Sequence, residues 1–334
     1  MTASLENVPL HGGPDALGAP SHDFSTNSNA CGPCPQAVQA LAQLDASRYP
    51  DPRYTALRQQ LADFHGVAAP RVLMAGSASE FIFRITAMVA GRGAHAVSVP
   101  PHAYGDYAQA AQAHGLVVVP SGEAAALHWA CEPSSPLGQP HGLTGWADAE
   151  GLRVLDCAYA PLRLSGQPSV TPDVLHTVWQ LHTPNKALGL TGVRAAYAIA
   201  PPGAEGDVQA LDQLCPSWPV GAHGVALLQA WVQPGVQAWL AQSLQTLRSW
   251  KAQQIHLCES LCWPCLPSDT NFFCTQPDLP SGMTLAQALA DLRAQGIKLR
   301  DTTSFRLPGH VRLGVLPPLA QHALAGAWKD ICGI

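Results

Sequence analysis

The sequence predicts an α/β protein: a large unit built on a mainly parallel sheet, followed by a small α+β unit. Three observations lead there. From Val72 onward, short apolar runs alternate with stretches of helical periodicity, the rhythm of parallel strands joined by covering helices. Toward the C-terminus that rhythm gives way to strands and helices in irregular order. The 334 residues are 47% hydrophobic, which is material for a sizeable core and excludes disorder. At about 150 residues per domain, the length fits one large unit and a smaller one.

Residues 1–34, rich in Gly, Pro, Asn and Ser, read as an extended arm that must pack on something else to be ordered. A helix from Pro35 carries Val38, Leu41 and Leu44, and a second from about Pro52 carries Tyr54, Leu57, Leu61 and Phe64 before a stop at Gly66. Then follow a strand at Val72 to Ala75, a helix from Ser79 to Val89, a strand at Ala96 to Val99, a helix from Tyr104 to Ala113, and a strand at Leu116 to Val119. Further strands are expected at Leu127 to Cys131, Leu152 to Asp156, Val174 to Leu181 and Ala195 to Ala200. Gly221 to Leu261 reads as two long helices broken near Pro234 and Gly235. The last part offers a strand near Asn271 to Thr275, a helix from Leu285 to Ala294, strands at Ile297 to Arg300 and Val311 to Val315, and a closing helix after Pro318. The expected division is an arm at 1–34, a large domain at 35–235 and a small domain at 236–334.

Charge narrows the partners. Eighteen basic and 23 acidic side chains give a net charge of -5, and charged residues make up 12% of the chain against ~25% in ordinary globular proteins. Nucleic acids and anionic membranes need clustered Lys and Arg, so neither is an expected partner. No apolar run approaches the ~18 residues of a membrane span. Ten Cys are too few for a disulfide scaffold, and no leader pattern opens the chain, so a reduced, cytoplasmic protein is expected.

Two cysteine arrangements imitate strong motifs. Cys31-Gly32-Pro33-Cys34 is spelled like a redox dithiol but lacks the preceding strand that places such a pair at a helix N-terminus, so it reads as two ordinary cysteines. Cys258, Cys262 and Cys265 have an iron–sulfur spacing, yet they close a long helix late in the chain, where chance spacing is the better reading. The fourteen His are scattered, and no metal site is expected.

The segment from His182 to Arg194 is more informative. Thr183, Lys186 and Arg194 interrupt an apolar, Gly-bearing stretch between two strands, in a chain whose only lysines are Lys186, Lys251, Lys298 and Lys329. A lysine buried enough to lose its proton can attack an aldehyde and form a Schiff base, and flanking Thr and Arg side chains can hold a phosphate. The plain alternative is a surface loop.

This segment resembles the S-x-S-K-x-x-G-L-x-G-x-R run of the fold-type-I pyridoxal-phosphate enzymes, the aspartate aminotransferase superfamily. The resemblance implies the fold of those enzymes, with a mainly parallel seven-stranded sheet and a small α+β C-terminal domain, and pyridoxal 5'-phosphate as cofactor. It puts Lys186 in the Schiff-base position, with Thr183 and Arg194 at the cofactor phosphate. Asp156-Cys157-Ala158-Tyr159 resembles the superfamily's D-x-x-Y, which implies Asp156 at the pyridine nitrogen and Tyr159 at the ring oxygen. Ala75 to Glu80 follows a strand and opens a helix, implying that Ser77 and Ala78 bind phosphate. Tyr104 falls where the family stacks an aromatic on the ring. Tyr49, in Arg48-Tyr49-Pro50-Asp51, falls where the family reaches the partner subunit's phosphate site, which implies a homodimer with shared active sites. Arg300 and Arg312 fall in strands that bind the substrate's anionic end. Glu132 to Gly138 departs from the family's N-P-N-N-P-T-G, so Ser135 stands where an Asn usually bonds the ring oxygen.

The opening His11-Gly12-Gly13, followed by Asn27 and Asn29, resembles the arm of the threonine-phosphate decarboxylases of cobalamin synthesis, whose relatives are the histidinol-phosphate aminotransferases. Substrate contacts are accordingly expected from His11, Gly12 and Asn27, and the substrate is a small phosphorylated amino acid or amine. The expected reaction is decarboxylation of L-threonine O-3-phosphate; the alternative is a histidinol-phosphate aminotransferase or another class I/II aminotransferase.

Overall fold

The computed structural model describes residues 12–333. His11 therefore lies outside the described residues. The arm contributes a two-residue strand, β1 (His22–Asp23), and leads into α1 (Pro35–Gln43), where Pro35 opens the helix and its missing N–H costs nothing. α2 (Thr55–His65) ends on Gly66, whose φ of 64° suits a residue without Cβ.

The next stretch runs β2 (Val72–Ala75), α3 (Ala78–Gly91), β3 (Ala96–Val99), α4 (Gly105–Ala113), β4 (Val117–Pro120), β5 (Leu127–Cys131), β6 (Leu152–Asp156), α5 (Pro172–His176), β7 (Trp179–His182), β8 (Ala196–Ile199) and α6 (Glu205–Gln213). Its strands form a seven-stranded sheet in the order β2-β8-β7-β6-β5-β3-β4. Only β8 runs against the others, pairing antiparallel with both β2 and β7. Alternation along the strands divides the packing: Leu73 and Ala75 face one apolar cluster with α3 and α4, while Val72 and Met74 face another with α2 and α7 (Ala222–Trp231). That second cluster continues without a break through the 27-residue α8 (Pro234–Ser260).

The chain then forms β9 (Phe272–Thr275), α9 (Leu285–Ala294), β10 (Ile297–Lys298), β11 (Arg300–Asp301), β12 (Val311–Gly314) and α10 (Pro318–Cys332). A three-stranded antiparallel sheet results, ordered β11-β12-β9. β1 pairs in parallel with β10, so the first strand of the chain rests on one of the last.

Three sequence expectations need correction. The strand expected from Val174 to Leu181 is a short helix and then β7, because Thr171 accepts a hydrogen bond from the Val174 N–H and Pro172 starts a helical turn. α6 escaped notice since Leu211 is its one buried side chain and no apolar stripe marks it. On α1, which packs against α7, the small Ala37 is buried and Val38 is 40% exposed, the reverse of the expected face.

A histidine pair ties α2 to the sheet. His65 Nε2 lies 2.7 Å from the Tyr197 hydroxyl, and the His182 ring stacks on Tyr197 at 5.0 Å and 14°. Desolvation lowers the His65 pKa to about 4 and pushes His182 well below the ordinary range, with the His65 charge adding to the effect. In the unfolded chain both imidazoles titrate near ~6.5. Their contribution to stability is therefore full above that pH and lost as the pH falls toward 4. Urea denaturation at pH 5 is expected to show stability lower than at pH 7.5 by about 2 kcal/mol per ring, and His182→Phe should roughly halve the difference. A stability independent of pH across that window would contradict it.

Candidate active site

Two adjoining cavities, of about 380 and 690 Å³, open at the C-terminal ends of β6 and β7. They share Lys186, Tyr104, Tyr159, Ser135, Gly12 and Thr26. Open α/β sheets place ligands at such strand ends.

The inner cavity is built around Asp156, the last residue of β6 and 4% exposed. Its Oδ1 accepts the Ala158 N–H at 2.9 Å and its Oδ2 accepts the Tyr107 hydroxyl at 2.7 Å. Burial raises the carboxyl pKa, while those two donors and the Lys186 ammonium pull it back. Lys186 sits in the loop after β7, which is fixed from both sides. Thr183 Oγ1 donates to Asn185 Oδ1 at 2.8 Å, and the same oxygen accepts the Lys186 N–H at 3.0 Å. From the arm, the Asn29 N–H donates to the Lys186 carbonyl at 2.9 Å and the Cys34 N–H to that of Leu188 at 2.9 Å. Lys186 Nζ lies 5.4 Å from the Tyr159 ring centre.

No other lysine competes. Lys251 Nζ donates to the Ser268 and Thr270 carbonyls, Lys298 is held by the Gly13 carbonyl and Asp15, and Lys329 is exposed on α10. Lys186 is the lysine that lines both cavities.

At the β2–α3 turn, Ala78 and Ser79 line the inner cavity and Ser79 Oγ lies 3.2 Å from the Tyr104 hydroxyl. Ser77 Oγ caps α3 by accepting the Glu80 N–H at 3.0 Å. Tyr104 forms a wall, and burial pushes its hydroxyl up. Arg194 borders the cavity as an exposed side chain.

The outer cavity holds two arginines side by side. Arg300 and Arg312 are cross-strand partners of β11 and β12, and both are buried. Arg312 donates to Ser135 Oγ at 3.2 Å and to the Ser25 carbonyl at 3.1 Å, while its Nε has no protein partner. Arg300 donates to the Asp301 carbonyl and to Ser304 Oγ at 2.7 Å, and Phe305 lies against both guanidiniums. Desolvation lowers the Arg300 pKa to about 10 and lowers that of Arg312, yet both stay cationic at neutral pH.

The arm closes the site. Asp15 pairs with Arg293 at 2.8 Å and Lys298 at 2.9 Å, and those cations hold its carboxyl well below the usual range. Gly12 lines both cavities, where a Cβ would meet the Ser25 carbonyl oxygen at 2.2 Å. Asn27 Nδ2 donates to the Tyr159 hydroxyl at 3.3 Å, and its Oδ1 has no protein partner.

Of the residues singled out in the sequence, Tyr49 stands apart. It is 78% exposed and stacks on Trp218 at 4.4 Å, outside both cavities. Cys31 to Cys34 packs over the lysine loop, where Gly32 presses on Trp239 and Pro33 lies against Gly189. Among the described residues no group of His, Cys, Asp and Glu could hold a metal. Reading the sequence missed Tyr107, Asn185, Ser79 and Ser304. Tyr107 had a signal, since it stands three residues after Tyr104 and on the same helical face.

The donor set suits pyridoxal phosphate: an amine, a buried carboxylate with lone pairs to spare, an aromatic wall and the first turn of a helix. Solved structures share the fold. Histidinol-phosphate aminotransferase from Sinorhizobium meliloti in complex with pyridoxal-5'-phosphate is 21% identical, covers 100% of this chain and 97% of its own, and superposes with a TM-score of 0.81. L-threonine-O-3-phosphate decarboxylase from Porphyromonas gingivalis is 19% identical, covers 93% and 99%, and gives 0.75. The family model for "Aminotransferase class I and II" matches residues 20–122 and 129–325, so the chain belongs to the class I and II aminotransferases, and its cofactor is pyridoxal phosphate. By sequence it is 28% identical over 321 residues to the histidinol-phosphate aminotransferase of Jannaschia sp., covering 88% of this chain and 87% of that one.

Gly76 offers a test of the β2–α3 turn, because a Cβ there would lie 2.8 Å from the Pro219 carbonyl oxygen. Gly76→Ala must displace backbone, and small-to-large strain of this kind costs typically about 1–3 kcal/mol. Cofactor affinity, read by fluorescence titration, is expected to fall roughly ten- to a hundredfold. Unchanged affinity would remove this turn from the cofactor site.

Proposed function

We propose that the protein moves an amino group between a small phosphate-bearing amine, such as histidinol phosphate, and a 2-oxo acid. The observation that carries this is Lys186, placed between the Asp156 carboxylate on one side and the paired Arg300 and Arg312 on the other. The relatives by sequence are named histidinol-phosphate aminotransferases, whereas the decarboxylase is a structural neighbour at 19% identity. Transamination therefore takes first place, ahead of the decarboxylation that the arm suggested.

When bound, the cofactor supplies an aldehyde that exchanges for the amino group and a ring that accepts electrons. In this reading Lys186 holds it covalently and then carries a proton to and from the substrate's α-carbon on its freed amine. Asp156 faces the ring nitrogen, Tyr159 and Ser135 the ring oxygen, and Tyr104 the ring face. Ser77 and Ala78 through their backbone, Ser79, Thr183 and Arg194 surround the phosphate. Arg300 and Arg312 bind the substrate's anionic end, serving a phosphate in one half-reaction and a carboxylate in the other. Gly12 and Asn27 wall the far side.

Two further parts belong to the proposal. Tyr49, exposed in one copy, reaches the phosphate end of a second copy's site, so the working enzyme is a homodimer of the cytoplasm. The arm (1–34), a large domain (35–235) and a small domain (236–334) are its units, with the arginines and the lysine on different ones.

Decarboxylation of L-threonine O-3-phosphate is the second reading, supported by Gly12 lining both cavities, so that the arm can hold a substrate anionic at both ends. One paired assay decides. With histidinol phosphate and 2-oxoglutarate the expected product is glutamate; CO2 released from L-threonine O-3-phosphate without any oxo acid would put the second reading first. Borohydride reduction is expected to fix the cofactor on the Lys186 peptide, and a fix on Lys251, Lys298 or Lys329 would overturn the assignment. Arg312→Ala is expected to weaken substrate binding about ten- to a hundredfold, the loss of one buried charge-assisted bond, while the cofactor stays bound. Finally, dilution to monomer should release cofactor; a monomer that retains it tightly would contradict the shared site.

A further inference from the structure

Tyr107 has no place in the reading above, yet it makes the shortest side-chain contact to Asp156. It is 0% exposed, and its ring lies parallel to Trp129 at 4.4 Å and 7°. That stack leaves the ring little freedom, so the hydroxyl is held where it donates to Asp156 Oδ2 at 2.7 Å. A neutral carboxylic acid would carry its own proton on one oxygen. Here both oxygens already accept, Oδ2 from Tyr107 and Oδ1 from the Ala158 N–H, which is the pattern of an ionised carboxylate.

We propose that Tyr107 is a positioning residue for the cofactor, holding Asp156 ionised and aimed so that the proton shared between this carboxylate and the ring nitrogen stays on the nitrogen. The inference rests on the placement of Asp156 at that nitrogen. The other groups that act on Asp156 are Lys186, whose charge favours the ionised carboxylate, and Asp106, whose charge opposes it; Cys131 lies beside it on β5. Without the phenol, Asp156 would keep one donor in a buried setting, and a buried carboxylate short of donors takes up a proton. Loss of a hydrogen bond to a charged group raises proton affinity roughly ten- to a hundredfold, enough to move a shared proton from ring nitrogen to carboxylate. The ring would then be a poorer electron acceptor, although substrate binding through Arg300 and Arg312 would be untouched.

The test uses the holoenzyme loaded with pyridoxal phosphate labelled with ¹⁵N in the ring. In Tyr107→Phe the ring-nitrogen resonance is expected to move toward its unprotonated position, and kcat to fall about tenfold with KM nearly unchanged. Replacing Tyr107 by 4-aminophenylalanine keeps the size and offers a weaker donor, so its resonance should lie between those of wild type and Tyr107→Phe. If the wild type is protonated at nitrogen and neither position-107 variant shifts it, the role of Tyr107 is overturned. A wild-type resonance already at the unprotonated position would instead overturn the placement of Asp156.

Discussion

The site depends on one strand of main chain passing between two sheets. Residues 22–34 pair with β10, accept from the Gly314 N–H and the Asn271 side-chain amide, and end by donating N–H groups to the carbonyls of Lys186 and Leu188. Without those bonds the lysine loop would have unsatisfied backbone on its buried side, and the two arginines would face an open trough. Gly12, Gly32 and Gly189 lie where backbone approaches too closely for a side chain, which is why this irregular segment carries so many small residues.

A sparingly charged chain keeps several of its ionic groups inside. Asp156, Arg300, Arg312, Arg84 and Lys251 are all buried, and each meets hydrogen-bonding partners rather than a lone counter-ion. Burying an uncompensated charge would cost several kcal/mol, so these groups persist only where neighbouring dipoles offset desolvation. At Lys251, whose ammonium donates to two carbonyls, the compensation is complete enough to read as architecture. At Asp156 and Arg312 it is incomplete: the carboxylate has lone pairs to spare and the guanidinium Nε has no protein partner. Incomplete compensation aimed into a cavity is what separates the reactive centre from the frame.

Much of this was legible before the coordinates. Val72 to Ala75, Ala96 to Val99, Leu127 to Cys131 and Leu152 to Asp156 are apolar runs between clear turn signals, and they are strands at those positions. Lys186, Asp156, Tyr159, Tyr104, Ser135, Arg300 and Arg312 do converge on the two cavities. What failed depended on context that a local pattern does not carry. α5 was hidden in a β-branched stretch whose fate is set by Thr171 and Pro172. Tyr107 carries only its spacing from Tyr104 as a signal, and its distance to Asp156 is what distinguishes it from a space-filling aromatic.

The pairing of β1 with β10 also bears on how the protein comes into being. The arm leaves the ribosome long before Gly296, whose carbonyl accepts the His22 N–H, and Gly314, whose N–H reaches the Phe24 carbonyl. The seven-stranded sheet can assemble while translation continues, whereas β1 must wait, unpaired, until β10 has been made. Closure of the reactive pocket is thus tied to the synthesis of β9 to β12, so a nascent chain cut before them leaves its arm without those partners.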